Sequence, residues 1–593
     1  MRQRVADYVA DFLAAKNINV VFSVVGGGSM HLNDALGKHT ALKVIHNHHE
    51  QACAMAAEGY ARINEKPAAV CVTTGPGGTN AITGVLCAWL DNVPMIVISG
   101  QVRYSTTVES SGLNLRQFGE QEYYIVRSIA PMTKYAYMLK DPYEIRYILE
   151  KAYFTATNGR RGPVWIDIPL NIQGATIETE NLKGFDIPVD NEDYTPKAKA
   201  IIDKLKTAKA PLILAGASIR RSESYNAFRS LAEKLHIPIV SPTCVADIMP
   251  LNHPYYFHNF GVVGGRVGNF LVQNADVILS LGCRLSLNQT GFNYEAFAPQ
   301  AYKIIVDVDE DELKKSTLKI NMPVQADLKK LLTCMNENLA EDLPEKISWL
   351  NYANTLKDRF ALRFNIVDGS SGINPYRLAE KLINFLSAND VIVVGNSTGS
   401  VLALHYGIVK DGQRLFGNRN CGTMGYDLPA AIGAAIAQNG SVVFLTGDGS
   451  FQMNLQELQT VVHNKIPLKI IIYNNNGYMG IVRTQTNYFE GRLTGCTPES
   501  GLSCPDWQKI AYAYNLPYEK ISTLDELDEK LKKFLSLPSY GLCEVIENTS
   551  QGVAFKTTSK KLDSGEMVSA PIDELAPKLS EDEFNKYRYF SNY

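Results

Sequence analysis

Short runs of consecutive apolar, often β-branched residues recur along the chain, soon followed by Gly or Asp and separated by stretches of helical periodicity. Val70-Cys71-Val72, Met95 to Ile98, Leu212 to Leu214, Val277 to Leu279 and Ile304 to Val306 belong to this series. Val391 to Val394, Val442 to Leu445 and Ile470 to Tyr473 continue it. A strand that is apolar throughout is covered on both faces, and intervening helices are the natural cover for a parallel sheet. The pattern predicts an α/β chain built of doubly wound parallel sheets. Two polar stretches, Ile187–Lys199 and Asn336–Ser371, divide it into three segments. The expected domains are 1–185, 195–345 and 370–550, with a polar tail rich in Lys, Ser and Glu over 551–593.

The first and third segments share an internal pattern. Ala56-Ala57-Glu58-Gly59-Tyr60-Ala61 precedes Val72-Thr73-Thr74-Gly75-Pro76-Gly77, and Ala430-Ala431-Ile432-Gly433-Ala434-Ala435 precedes Phe444-Leu445-Thr446-Gly447-Asp448-Gly449. Each reads as a small-residue helix, a buried strand and a Thr-Gly-x-Gly turn. A true duplication would place two related sheets on either side of a different middle domain. The turn carries Pro76 in the first copy and Asp448 in the second, so only the second offers a cation ligand.

Composition narrows the class. The 593 residues are 45% apolar and 20% charged, with a formal net charge of −3. That balance gives no electrostatic case for nucleic acid or an anionic membrane as partner. The ten cysteines form no CxxC pair, which reads as reduced, cytoplasmic usage rather than a disulfide or zinc framework. The N-terminus enters a helical pattern at once (Val5, Val9, Phe12, Leu13), and no apolar run reaches the ~18–20 residues of a spanning helix.

The candidate chemistry starts at Gly447-Asp448-Gly449-Ser450, which follows a buried strand and opens a helical run. Gly permits close backbone approach to a phosphate, and a helix start favours an anion. Asp448 is a hard oxygen ligand suited to Mg²⁺, which takes few protein ligands and completes its shell with phosphate oxygens. The next strand ends in Asn474-Asn475-Asn476-Gly477-Tyr478, 27 residues on from Asp448 to Asn475. Taken singly, each segment is ordinary turn chemistry. Together they sit on consecutive strand ends of one sheet, where such folds bind ligands.

This pair of motifs resembles the diphosphate-binding signature of thiamine-diphosphate enzymes. By the resemblance, Asp448, Asn475 and the Gly477 carbonyl hold the metal. Asn47-His48-His49-Glu50-Gln51, followed by Ala56 to Arg62, is similar to the family's glutamate motif, which makes Glu50 the residue that hydrogen-bonds the aminopyrimidine ring and promotes loss of the C2 proton. His46, His48 and His49 are read as loop or core histidines rather than a metal cluster. The same matching puts Gly26, Thr73, Pro76 and Asn80 on the pyrimidine side. It puts Val394, Gly395, Asn396 and Ser397, with Gly447, Gly449, Ser450 and Tyr478, around the diphosphate. Gly422-Thr423-Met424-Gly425 resembles the stretch that bends the cofactor, with the Gly422 carbonyl accepting from the pyrimidine amino group and Met424 as the wedge. Glu50 and Asp448 fall in different domains, and the family completes its site across a subunit interface. A homodimer or homotetramer is therefore implied.

Within the family the chain is most similar to the acetolactate synthase group, through Gly26 to Met30, Gly75 to Asn80, Asp91 to Pro94, Gln121-Glu122, Thr133-Lys134 and Gly422 to Ala431. Three departures stand out: Val25 where the group has Pro, Glu120 where it has Phe, and Leu285-Ser286-Leu287-Asn288 where it has an Arg-containing stretch. With Gln121 as a catalytic candidate, Glu120, Gln121 and Asn288 are the expected substrate contacts. Asn288 cannot form the charged bidentate pair that Arg gives a carboxylate. Losing one charge-assisted bond is worth ~2–3 kcal/mol, or ~30–150-fold in discrimination. The resemblance thus implies decarboxylation of a 2-keto acid such as pyruvate and transfer of the two-carbon unit to a carbonyl acceptor, a keto sugar among the candidates. Acetolactate synthesis from two 2-keto acids, simple decarboxylation or lyase chemistry, and a non-catalytic binding role are the alternatives. Bound FAD is left open, because Gly261 to Gly264 lacks the Met-His core of the matching stretch while Arg284 is kept.

Overall fold

The computed structural model describes residues 2–360, 366, 368–369, 371–438 and 441–589. Among these, the apolar runs become central strands of three six-stranded, all-parallel sheets. The first runs edge to edge as Lys43–His46, Val20–Ser23, Ala68–Val72, Met95–Gln101, Pro163–Pro169 and Tyr135–Met138. The third runs as Arg414–Gly417, Val391–Val394, Val442–Gly447, Leu468–Asn474, Gly541–Ile546 and Tyr518–Ile521. Counted in chain order within each sheet, both read 2-1-3-4-6-5. The middle sheet is ordered differently: Tyr256–Phe260, Ile239–Pro242, Pro211–Ala215, Val277–Leu281, Tyr302–Asp307 and Met322–Gln325, or 3-2-1-4-5-6. The paired motifs of the sequence therefore occupy the same topological position in two sheets of one design, separated in the chain by a middle sheet of another.

The small-residue helices are what join the outer domains. Helix Glu50–Asn64 lies against helix Asp427–Ala437, and the buried residues of both are rich in Ala and Gly. A methyl group on Gly59 would run into the Ala430 carbonyl oxygen, and one on Gly433 into that of Ala56. The two backbones touch, and the two contacts are equivalent by the repeat, each Gly meeting the other helix's counterpart of the Ala three residues before it. One apolar core, from Val20 and Phe22 through Trp165 to Phe444 and Leu542, fills the space between the first and third sheets.

The expected linkers are only partly loops. Residues 186–193 are exposed, but helix Thr195–Thr207 starts inside the first predicted linker. The second, Asn336–Ser371, contains helix Ile347–Arg359, whose Trp349 is buried and donates its indole N–H to the Pro211 carbonyl at 2.8 Å; residues 361–365, 367 and 370 of that stretch lie outside the described ones. The polar tail is docked as far as Tyr589. Thr557 N–H donates to the Val262 carbonyl at 2.8 Å, Tyr352 hydroxyl to the Tyr587 carbonyl at 2.6 Å, and Tyr589 stacks edge-on against Trp349. Its apolar members, Phe555, Ile572, Leu575 and Tyr587, are spaced too irregularly to signal a strand or helix, yet each is buried. Among the described residues no helix is long and apolar enough to cross a membrane.

Between the middle and third domains His405 is buried, its Nδ1 at 3.1 Å from the Tyr376 hydroxyl, with partly buried His258 nearby at 3.2 Å from the Tyr406 carbonyl. Burial lowers both from 6.5, His258 to about 4 and His405 to about 3. The unfolded chain takes up these protons near pH 6.5 and the fold does not, so stability falls as pH drops from 6.5 toward 4. His405→Gln should flatten that part of the stability profile, measured as denaturation midpoint against pH. An unchanged slope would place the acid sensitivity elsewhere.

Candidate active site

The predicted diphosphate end is assembled by three strand exits of the third sheet. Val442–Gly447 delivers Asp448, Leu468–Asn474 delivers Asn475 and Gly477, and Val391–Val394 delivers Gly395 to Ser397. Asp448 is buried; one carboxylate oxygen accepts from Gly449 N–H at 2.7 Å, the other from Asn475 N–H at 3.0 Å and Gly477 N–H at 3.2 Å. Burial raises its pKa to about 6 against the pull of those backbone donors. The Asn475 side chain donates its amide to a carboxylate oxygen of Glu547 at 2.7 Å, which leaves the amide oxygen, Oδ1, buried with no hydrogen-bond partner among the described residues. A buried carboxylate beside an unpaired amide oxygen is an all-oxygen donor set that suits a hard cation. Gly449 sits flat under the ring of half-buried Tyr478, where any side chain would collide.

The loop Gly422 to Gly425 is tied to this corner. Gly425 N–H donates to Ser450 Oγ at 3.0 Å, Asn454 donates to the Gly425 carbonyl at 2.7 Å, and Gly422 has φ +64°. The Gly422 carbonyl, expected to accept from the pyrimidine, already accepts from the Asn396 side chain. It keeps a second lone pair for another donor. Ser450 and Thr446 both donate to Asp427, at 3.1 and 2.6 Å, so a second buried carboxylate braces the turn from behind. Met424 is half-buried on the same loop.

The predicted pyrimidine end lies on the first sheet. Glu50 opens helix Glu50–Asn64 and is buried at 8% exposure, accepting from the exposed Asn80 side chain at 3.0 Å. His49 caps the helix, its Nδ1 accepting from Gln51 N–H at 3.1 Å. Among the described residues no three His, Cys, Asp or Glu side chains form a metal-binding group. Thr73 Oγ1 accepts from Gly28 N–H at 3.1 Å and abuts Gly26, while Pro76 begins helix Pro76–Leu90. Glu120 and Gln121 stand exposed on a loop held by the buried Glu122, which accepts from Phe118 and Gly119 N–H at 2.8 and 3.2 Å. Asn288 is exposed on the middle domain, its carbonyl accepting from Val262 N–H at 2.9 Å.

The chain thus gathers Asp448, Asn475, Gly477, Ser450 and the 422–425 loop in one place and Glu50, Asn80, Thr73 and Gly26 in another. Among the described residues no hydrogen bond or ion pair joins Glu50 to Asp448, or Asn288 to either substrate candidate on the 120–121 loop. Sequence reading missed Glu547, Asp427, Asn454 and Glu457. Glu457 fastens the approach to Glu50, accepting from Asn47 Nδ2 at 2.9 Å and His48 N–H at 3.0 Å. Only Asp427, a lone charge in an otherwise apolar helix, carried a signal in the sequence.

Comparison with known proteins decides the family. Residues 3–121, 198–335 and 394–545 match the N-terminal TPP binding, central and C-terminal TPP binding domains of thiamine pyrophosphate enzymes. The chain belongs to that family. It is 30% identical to the probable acetolactate synthase large subunit of Methanocaldococcus jannaschii, with 98% of each chain covered. It is 30% identical to the acetolactate synthase large subunit of Lactococcus lactis, covering 88% of this chain and 89% of the relative. The large subunit of Buchnera aphidicola subsp. Acyrthosiphon pisum is 31% identical over 90% of this chain and 93% of its own. This thiamine pyrophosphate enzyme is accordingly acetolactate synthase-like, and its two TPP-binding domains are the two sheets of common topology.

In such an enzyme, two substitutions should fail at different steps. Glu50→Gln keeps shape and hydrogen bonding but cannot exchange a proton. It should bind thiamine diphosphate and lose C2–H exchange by ~10²–10⁴-fold. Asp448→Ala should lose affinity for the cofactor at fixed Mg²⁺, read by calorimetric titration. Normal exchange in the first, or unchanged affinity in the second, would remove that residue from its assigned role.

Proposed function

We propose that the chain is a Mg²⁺- and thiamine-diphosphate-dependent carboligase that decarboxylates a 2-keto acid, pyruvate in the simplest case, and passes the two-carbon unit to a carbonyl acceptor. The observation that carries this reading is the Asp448–Asn475 corner, where a buried amide oxygen has no protein donor and a carboxylate stands beside it. Asp448, Asn475 and the Gly477 carbonyl would hold Mg²⁺, and the backbone around Gly447 to Ser450 and Gly395 to Ser397 would receive the diphosphate. When bound, the cofactor supplies the electron sink for decarboxylation. The chain's part is to hold a proton at the Glu50 carboxylate, oriented by Asn80, to bend the cofactor over Met424, and to keep the reacting carbons out of bulk water.

A homodimer or homotetramer with the site between subunits is part of the proposal. Supporting it, the two halves of the site stand on different domains, and Pro76, Asn80, Gln121 and Asn396 are exposed in the isolated chain. Leu113, Leu115 and Phe118, just ahead of Glu120, are exposed apolar residues on the same loop. Ten free cysteines support a reducing compartment, and hence the cytoplasm.

For the acceptor, Glu120 and Asn288 favour a carbonyl compound without a carboxylate, such as a keto sugar. The names of the relatives favour the second reading, acetolactate synthesis from two 2-keto acids. Products from pyruvate alone separate them: slow turnover that quickens with an added carbonyl acceptor supports the first, efficient acetolactate formation the second. Under the first, Asn288→Arg should raise acetolactate formation, and Glu120→Phe with Asn288→Arg should exceed either single change if both line one pocket. No gain in any variant would place the acceptor site elsewhere.

A nucleotide such as FAD finds a suitable crevice between the first and middle domains. It opens at the carboxyl ends of the middle sheet, where the strand order reverses, and is lined by Ser218, Arg221, Arg284 and Asp307 with Arg160 and Arg161 of the first domain. Arg160 and Arg284 already pair with Glu312 at 3.1 and 3.2 Å, so a diphosphate there would have to compete with a carboxylate. Purified protein with a flavin absorption band would establish FAD as resident; a colourless preparation that gains no band on incubation with FAD would exclude it.

A further inference from the structure

The metal corner contains one more group than its ligands explain. The last long strand, Gly541–Ile546, runs beside Leu468–Asn474 with Ile546 opposite Asn474, and the next residue, Glu547, is thereby set opposite Asn475. Its backbone is held on both sides. Glu547 N–H donates to the Asn474 carbonyl at 3.0 Å, while Ile373 N–H donates to the Ile546 carbonyl at 2.7 Å and Asn548 N–H to the Ile373 carbonyl at 2.9 Å. The Glu547 side chain is buried at 5% exposure. One carboxylate oxygen takes the Asn475 amide at 2.7 Å; the other, Oε1, is buried with no partner, as is Asn475 Oδ1. The nearby cation, Arg483, spends a guanidinium nitrogen on the Thr549 and Gln551 carbonyls at 2.9 and 2.5 Å.

Two buried acceptors on one hydrogen-bonded pair of side chains, neither with a donor among the described residues, call for a ligand that is electron-poor toward them. An amide oxygen can enter the shell of a hard cation directly. A carboxylate beside it is placed to accept from a water that the cation keeps, and Mg²⁺ keeps several. Resting on the Mg²⁺ assignment above, we propose that Glu547 is a positioning residue of the metal site. It fixes the Asn475 amide with its oxygen toward the cation and, through Oε1, accepts a hydrogen bond from a cation-bound water. Partners of this kind orient the ligands they touch, and their loss typically costs ~10–100-fold in metal affinity.

The test uses the full chain, stripped of metal with a chelator and titrated with Mg²⁺ at saturating thiamine diphosphate by calorimetry. Glu547→Ala should raise the Mg²⁺ concentration for half-saturation ~10–100-fold. Glu547→Gln still offers the Asn475 amide an acceptor but puts a donor at the other position, and should fall between Ala and wild type. The metal-free unfolding midpoint should stay near wild type in both. An Mg²⁺ affinity unchanged in Glu547→Ala, while Asp448→Ala is weakened, would overturn the role of Glu547 and leave the metal site standing. Unchanged affinity in Asp448→Ala as well would bring down the metal assignment itself. Equal destabilisation of Glu547→Ala with and without Mg²⁺ would make Glu547 a structural residue and overturn the proposal.

Discussion

The contact between helices Glu50–Asn64 and Asp427–Ala437 sets the geometry on which everything else is hung. Their backbones meet because Gly59 and Gly433 carry no side chain where they face Ala430 and Ala56. Glu50 is the first residue of one helix. The other leads into the strand that delivers Asp448. A shift of this crossing would therefore move the two candidate halves of the site relative to each other, whichever subunit completes each one. Close packing of small residues tolerates little sliding, since any added methyl group meets a carbonyl oxygen.

The rim of the same crossing is polar and no less constrained. Arg62, at the far end of the first helix, pairs with buried Glu58 at 2.6 Å and with Asp91, and Asn418 of the third domain donates to Glu58 at 3.1 Å. Arg414 of the third domain pairs with Asp247 of the middle one at 2.7 Å and also donates to the Arg62 carbonyl at 3.1 Å. Charges buried in this way hold their partners in register, because breaking one pair leaves another charge uncompensated in a medium of low polarisability. The three domains are thus locked around one point by a few directional contacts, while their separate cores supply the bulk of the burial.

The candidate metal corner repeats this logic on a smaller scale. Asp448 is kept in place by three backbone N–H groups, Asn475 by Glu547, and the turn between them by Ser450, Thr446 and Asp427. Burial pushes Asp448 up to about 6 and Glu547 to about 7. That is the electrostatic cost of gathering carboxylates away from water, and a cation placed among them would offset it.

The sequence by itself determined the sheets, the repeat and the candidate ligand residues that share a strand end. Strand and turn are local: Val442 to Asp448 or Leu468 to Gly477 carries its periodicity, its glycines and its donors within a few residues, so the chemistry of Asp448 and Asn475 was legible there. Tertiary structure alone decided the rest. Glu547 meets Asn475 across 72 residues and Glu457 meets Asn47 across 410, through pairings that no local pattern encodes. The segment from 551 reads as a polar tail because its buried residues, Phe555, Ile572 and Tyr587, follow no period; only packing on the middle and third domains gives them a place. Asn288 and Glu120 stand out only as departures from the acetolactate synthase pattern, and in the single chain both face solvent. What a side chain can bind is fixed by its chemistry, but which other side chains stand beside it is fixed by how separate sheets pack.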